Sequence, residues 1–257
     1  MNIKLPQRLK ANAIKSRKNG FSLIELLAVI VVIGILSAII VPVVNSVRDS
    51  ARTTKSLSNL RQLASAMQMY SSDNNGLYPF GYHDPNPGHE IYWYLEIAPY
   101  LDQKTTSGSE LRNVLVSPFV DKDLTEGYYA GGDVRTSPST YSVHGVICPP
   151  VPTNYTEDPR FPVWNIQEDH SEIILVGEGT LNNWGYAMAT FMQPSDWLNL
   201  RDLSEAALDA EIDTYSETTT GALSYRANNR ALVAFLDCHV EALERGTVVF
   251  RNITISP

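Results

Sequence analysis

A chain of 257 residues has room for one membrane segment and one modest globular domain, or two. Its net charge of −8 is unevenly spread: residues 1–20 hold Lys4, Arg8, Lys10, Lys15, Arg17 and Lys18 and no acid, so the remainder is strongly acidic. That argues against nucleic acid as the main partner of the globular part, because phosphate binding needs a basic face.

The first element is an apolar helix. Residues 26–44 are apolar apart from Gly34, Ser37 and Pro42. Counted from Phe21, the stretch measures about 36 Å as a helix, which matches a bilayer core. A secretory signal peptide has a shorter apolar core with a small-residue cut site behind it, and no A-x-A pattern follows here. On hydropathy alone the segment reads as an uncleaved signal anchor. The upstream basic cluster holds the leader in the cytoplasm and places the C-terminal bulk outside it. Arg48, Arg52, Lys55 and Arg61 beyond the span weaken that asymmetry without reversing it.

Glu25 is the anomaly in this helix. A carboxylate in lipid costs a few kcal/mol, about 3 on insertion scales, and such residues usually have a definite partner. The plain alternative is a shallow side chain reaching the headgroups. A cut between Gly20 and Phe21 would create a new α-amine four residues before Glu25, one helical turn away. Glu25 then pairs with that amine or with the amine of a neighbouring subunit. In a bundle of such helices an unpaired carboxylate penalises wrong registers, which is specificity rather than stability.

Gly20-Phe21-Ser22-Leu23-Ile24-Glu25, an apolar helix behind it and a basic leader before it together resemble the type IV prepilin signature of pilins and type II secretion pseudopilins. Pro42 also sits where such pilins often carry a kinking proline. The resemblance implies that a prepilin peptidase removes residues 1–20 by cutting after Gly20 and N-methylates Phe21.

After Val44 the helix continues in amphipathic form. Val43, Val47, Ala51, Thr54, Leu57, Leu60, Ala64, Met67 and Tyr70 recur at three- and four-residue steps, with Arg48, Asp49, Arg52, Lys55 and Arg61 off the stripe. "SSDNNG" (residues 71–76) supplies the stop, with Gly76 as a left-handed cap. The expected segments are a leader over 1–20, a transmembrane or filament-core helix over 21–44, its amphipathic extension over 45–75, and an extracytoplasmic globular domain over 76–257.

The globular part opens with "GLYPFGYHDPNPGHE", rich in Pro, Gly and aromatics, which reads as an ordered loop. Residues 89–102 suit a short helix that breaks near Pro99. Residues 141–148, 172–177, 186–192, 231–237, 240–243 and 247–255 are short, apolar and partly β-branched, and read as strands. Residues 202–215 read as a surface helix with Ser204 as N-cap. "ALVAFLDCHVEAL" reads as a hairpin turning at Asp237-Cys238, where Asp-Gly would suit the turn better. The fold class is therefore α+β: a long N-terminal helix, transmembrane in its first half, packed against a C-terminal antiparallel β-sheet domain. The family resemblance implies the same pilin-like architecture. The hairpin also resembles the end of a pilin-like group that carries a His, nine residues, then Asp-Gly in an "FxDGH" run. Phe235, Asp237 and His239 match it, while Cys238 replaces the glycine and Ala227 the histidine.

Catalytic and metal signatures are sparse. His83, His89, His144, His170 and His239 form no H-E-x-x-H or paired-cysteine pattern, and no G-x-S-x-G, P-loop or complete dinucleotide fingerprint is present. His83-Asp84 and His89-Glu90 could meet a metal in one loop, against the plainer reading of solvated polar residues. Asp121, Asp123 and Glu126 alternate loosely in "VDKDLTEG" and are weak calcium candidates, as some major pseudopilins bind calcium in a loop; solvated turn acids are the ordinary reading. No other cofactor is expected. Cys148 and Cys238 allow either one disulfide or two unpaired thiols. Trp93, Trp164, Trp184 and Trp197 read as core rather than as a sugar-binding face.

Two functional readings follow. In the first, the chain is a non-enzymatic structural subunit, a pseudopilin or pilin. Glu25 neutralises an N-terminal amine during assembly into a type II secretion pseudopilus or type IV pilus-like filament. The resemblance implies prepilin peptidase, other pilin-like subunits including further copies of this chain, and inner-membrane assembly machinery as partners. The chain then sits in the bacterial inner membrane as a single pass before assembly. In the second, it is a membrane-anchored extracytoplasmic enzyme or binding module with the helix as a tether. A tether needs neither Glu25 nor the Gly–Phe step.

Overall fold

The computed structural model describes residues 22–83, 91–101, 113–120, 139–151, 158–180, 223–253 and 255. The predicted strand over 186–192 and the predicted helix over 202–215 lie outside these. The first element, α1, is a 51-residue helix, Leu23–Asp73, with Pro42 inside it. It belongs to two compact units, one ending at Val47 and the other beginning at Arg48.

In the first unit every large apolar side chain of α1 is exposed, from Leu23 through Leu36 to Val47. A surface that is apolar all round has lipid or other apolar helices as its natural solvent. The segment is long and apolar enough to cross a membrane.

In the second unit α1 has a buried face. Leu60, Leu63, Ala64, Ala66 and Met67 enter the core, as the three- and four-residue spacing requires. The predicted stripe fails further upstream: Ala51 and Thr54 are exposed, and the buried positions there are the polar Ser56 and Asn59. The helix ends where the turn formers begin. Asn75 and Gly76 both take positive φ, 54° and 76°, and the Gly76 N–H reaches back to the Ser71 carbonyl at 2.8 Å. That is the bond of a Schellman cap.

Seven strands build two sheets among the described residues. β1 (Tyr82–His83), β2 (Ile91–Tyr92) and β4 (Pro150–Val151) form a small sheet in the order β2-β1-β4. It is mixed rather than antiparallel, since β1 runs parallel to β4 with Tyr82 opposite Pro150. The predicted short helix is present: α2 (Trp93–Ile97) follows β2 and gives way to a 3-10 turn at Ala98–Tyr100, where Pro99 cannot continue the ladder.

The main sheet is antiparallel, in the order β3-β5-β6-β7. Its members are β3 (Tyr141–Val143), β5 (Ile174–Glu178), β6 (Arg230–Phe235) and β7 (Val240–Glu244). β5 is buried along its whole length, and β6 is buried except at Arg230. Strands buried on both faces read as continuous apolar runs, as these do. The β6–β7 pair is the expected hairpin, with Ala234 opposite Val240.

One strand expectation is wrong. The described residues within 247–255 form no strand; a 3-10 turn occupies Phe250–Asn252. Asn252 explains it: its side-chain oxygen accepts the Val249 N–H at 2.9 Å, and its amide donates to the Glu172 carbonyl at 2.8 Å. A side chain that takes over backbone partners in this way favours a turn over a ladder.

Candidate processing and assembly site

Ser22 and Glu25 form the start of α1. The Ser22 carbonyl accepts the Glu25 N–H at 3.0 Å and the Leu26 N–H at 3.2 Å, which makes Ser22 the N-cap. Glu25 Oε2 in turn accepts the Ser22 N–H at 2.9 Å. This is the reciprocal half of a capping box, in which the third helical residue satisfies an otherwise orphaned donor at the cap. The signal was in the sequence as Ser-x-x-Glu ahead of an apolar run, and the membrane reading of Glu25 overlooked it. The carboxylate also lies at the positive end of the helix dipole, where a negative charge is favoured. Glu25 thus has a local partner within its own chain. Gly20 and Phe21 lie outside the described residues.

The globular unit contains a second polar constellation, at the interface of α1 and the main sheet. Glu178, fully buried at the end of β5, accepts hydrogen bonds from Ser56 Oγ and Ser117 Oγ, each at 2.5 Å to Oε1. The Tyr141 hydroxyl stands 3.0 Å from Ser56 Oγ, and Asn59 Nδ2 donates to the Asn113 carbonyl at 3.2 Å. Burial beside the Glu178 carboxylate drives the Tyr141 phenol far above its ordinary value, so it stays protonated. Arg226 approaches with Nη2 at 3.8 Å from Glu178 Oε2.

These two constellations sit on one chain whose residues 45–235 match the family described as "Protein of unknown function (DUF1559)". The chain belongs to the DUF1559 family.

Just ahead of that region, residues 15–41 of this DUF1559 protein match the prokaryotic N-terminal methylation motif. Curated relatives resemble a shorter stretch. Type II secretion system core protein G of Pseudomonas aeruginosa is 40% identical over 60 residues, 23% of this chain and 42% of that protein. The Aeromonas hydrophila protein of the same name is 39% identical over 61 residues, 24% of this chain and 43% of that one. The Escherichia coli one is 36% identical over 59 residues, 23% and 41%. This DUF1559 protein thus spans about two-fifths of the length of the curated relatives it matches. No solved structure matches it.

The remaining sequence candidates are scattered. Asp121, Asp123 and Glu126 lie outside the described residues, as do Asp84, His89 and Glu90. Cys148 and Cys238 are both free thiols, so the bridge left open by the sequence is not made. Cys148 is fully buried and Cys238 points its Sγ at Gln68 Oε1, 3.3 Å away. Trp93 is core as expected, but Trp164 is 64% exposed and lies over Gly76 at the end of α1. Trp184 and Trp197 fall outside the described residues.

The hairpin tip explains why a glycine would suit position 238. Cys238 sits at φ +70°, a conformation that costs a side-chain-bearing residue about 1–2 kcal/mol. Beside it His239 stacks flat on Phe235, centroids 4.1 Å apart, and its Nδ1 is 2.6 Å from Asp237 Oδ1. Partial burial is the largest single influence on the Asp237 carboxyl and pushes it up, but the hydrogen bonds and charge of His239 together outweigh it and hold the acid below its ordinary range.

Proposed function

We propose that this DUF1559 protein is a pilin-like structural subunit, a pseudopilin rather than an enzyme. Prepilin peptidase cuts it after Gly20 and methylates Phe21. Inner-membrane machinery then assembles it, with other pilin-like subunits and with further copies of itself, into a type II secretion pseudopilus or a related type IV filament. Before assembly it is a single-pass inner-membrane protein with the leader cytoplasmic and the globular unit outside.

The observation that carries this reading is the methylation motif laid over an apolar helix whose first turn contains an acid. Glu25 caps the helix start in any reading, but a plain anchor can cap with a neutral acceptor and has no need of a carboxylate, which is expensive in lipid. The relatives named as type II secretion core protein G favour the secretion machine over the pilus. In the filament, Glu25 exchanges or shares its Ser22 N–H for the α-amine of Phe21 in its own chain or in a neighbouring subunit. The acidic globular unit faces outward.

The test is mass spectrometry of the mature chain in cells with an active prepilin peptidase. The expected mass lacks residues 1–20 and carries one added methyl group at Phe21. Gly20→Ala leaves the full-length precursor. A wild-type chain that retains its leader under those conditions overturns the proposal.

A further inference from the structure

Beneath the α1–sheet contact, four polar atoms have no hydrogen-bond partner among the described residues: Glu178 Oε2, Asn59 Oδ1, Arg226 Nε and Arg226 Nη2. Glu178 and Asn59 are fully buried, and the two Arg226 nitrogens are buried although the side chain as a whole is 22% exposed. A buried polar group without a partner costs about 1–3 kcal/mol, more when charged. Native cores leave few such groups, and four gathered in one cluster call for a shared partner.

The atoms belong to one neighbourhood. Ser56 Oγ bonds both Glu178 Oε1 and the Tyr141 hydroxyl, and Asn59 Nδ2 stands 3.4 Å from that same hydroxyl. Arg226 joins from the far side through its 3.8 Å approach to Glu178 Oε2. That separation is too long for a hydrogen bond and too short for indifference. It is a distance at which one small third oxygen can touch both.

The chemistry of the open positions narrows the guest. Two are acceptors, a carboxylate oxygen and an amide oxygen. Two are guanidinium N–H donors. A cation would be repelled by Arg226, and an anion by Glu178. A neutral molecule that donates twice and accepts twice satisfies all four, and water is the smallest such molecule.

We infer that Glu178, Arg226 and Asn59 hold an internal water, making the α1–β5 contact a hydrated polar lock. The water donates to Glu178 Oε2 and Asn59 Oδ1 and accepts from Arg226. With Ser56, Ser117 and Tyr141 satisfying the rest of the cluster, the lock fixes the rotation of α1 on the sheet more sharply than Leu60, Leu63 and Met67 do, since apolar contacts tolerate sliding and hydrogen bonds do not. This inference concerns the globular unit alone and does not depend on filament assembly.

The test is a structure of the full chain at a resolution that orders internal water. The expected result is an oxygen within about 2.7–3.2 Å of both Glu178 Oε2 and an Arg226 nitrogen. Arg226 seated directly on both Glu178 oxygens, with no oxygen between, overturns the inference. Oxygen-17 relaxation dispersion gives a second readout in solution. The pair of apolar replacements Glu178→Met with Arg226→Met keeps the volume and removes the polar partners. It should lower the number of long-lived internal waters by at least one, and an unchanged number overturns the inference.

Discussion

Ser56 on α1 and Glu178 on β5 lie 122 residues apart in sequence and meet at 2.5 Å in the core. The contact joins the helix to the most buried strand of the main sheet through a charge-assisted hydrogen bond, a stronger kind than a neutral pair makes. Its sequence separation means that it forms only once the sheet is assembled. It therefore reports on tertiary structure and not on helix content.

Removing the acid alone should be costly. Glu178→Ala strips the acceptor from Ser56 and Ser117 and leaves the Arg226 guanidinium without its anion. Breaking a buried charged pair from one side costs about 3–5 kcal/mol. Ser56→Ala removes one hydrogen bond and costs about 1 kcal/mol. Urea unfolding of the full chain, followed through the buried Trp93, measures both. A Glu178→Ala loss no larger than that of Ser56→Ala shows that Arg226 does not depend on the carboxylate.

Gly76→Ala should destabilise for two separable reasons. The residue needs φ +76°, and an added Cβ would meet Trp164 Cζ3 at 2.1 Å. Together these predict a loss of about 1–3 kcal/mol. Trp164 is exposed and can be truncated cheaply. In the Gly76→Ala, Trp164→Ala double variant the clash disappears and about 1 kcal/mol of backbone strain remains. A double-mutant cycle with no coupling shows that the indole simply moves aside.

Cys238→Gly should have the opposite sign. It relieves the φ +70° strain of about 1–2 kcal/mol and gives back part of that as unfolded-chain entropy. The net expectation is a gain of about 0.5–1 kcal/mol, read as a raised denaturation midpoint, although the weak thiol contact to Gln68 is lost. A β-branched Cys238→Val should move the midpoint the other way.

Local patterns carried the parts of this fold that local physics decides. The apolar periodicity from Leu57 to Tyr70, and the Asn75-Gly76 stop, define where α1 is buried and where it ends. The continuous apolar runs of β5 and β6 were equally plain. The two-residue strands β1, β2 and β4 were not legible, because their pairing is set by partners up to 68 residues away, as with Tyr82 and Pro150. Burial of Ser56 and Asn59 ran against the stripe for the same reason: what makes it favourable is Glu178, Ser117 and Tyr141, none of which α1 can announce. Position 25 was legible as an anomaly but not as a cap, since the membrane argument treated the helix as already begun.

His144 should give the domain an acid limit. It is fully buried; its Nε2 stands 2.9 Å from the Ile253 carbonyl, and its Nδ1 accepts the Val146 N–H at 3.2 Å, which makes the ring neutral with its proton on Nε2. Desolvation lowers its pKa from 6.5 to about 4, against the opposing hydrogen bond to Ile253. A folded value below the unfolded one means that the unfolded chain binds the proton first. Stability from this residue is therefore complete above about pH 6.5 and is lost as pH falls from there to about 4. The span corresponds to roughly 3 kcal/mol. Asp158 and Asp169, held below their ordinary range by hydrogen bonds from Arg160 and Ser171, weaken the fold only at lower pH. Unfolding measured at pH 7, 5.5 and 4.5 should show the decline in wild type. In His144→Gln, which keeps a donor for Ile253 and cannot titrate, it should be largely absent.

The two partners proposed for Glu25 can be told apart by one substitution. As a cap, the side chain needs only an acceptor for the Ser22 N–H, 2.9 Å away, and Glu25→Gln retains one. As the counterion of a neighbouring α-amine it needs a negative charge, which Glu25→Gln lacks. If the filament reading is right, Glu25→Gln is cleaved after Gly20 and keeps the helix start, yet its polymerisation falls at least tenfold, as does that of Glu25→Leu. Sedimentation of filaments from cells expressing equal amounts of each chain measures the difference, and mass spectrometry confirms the cut. Normal filaments from Glu25→Gln beside failed ones from Glu25→Leu would assign the residue to the capping box alone. In that case the charge at position 25 does not select the assembled register, and the countercharge argument for assembly has to be abandoned.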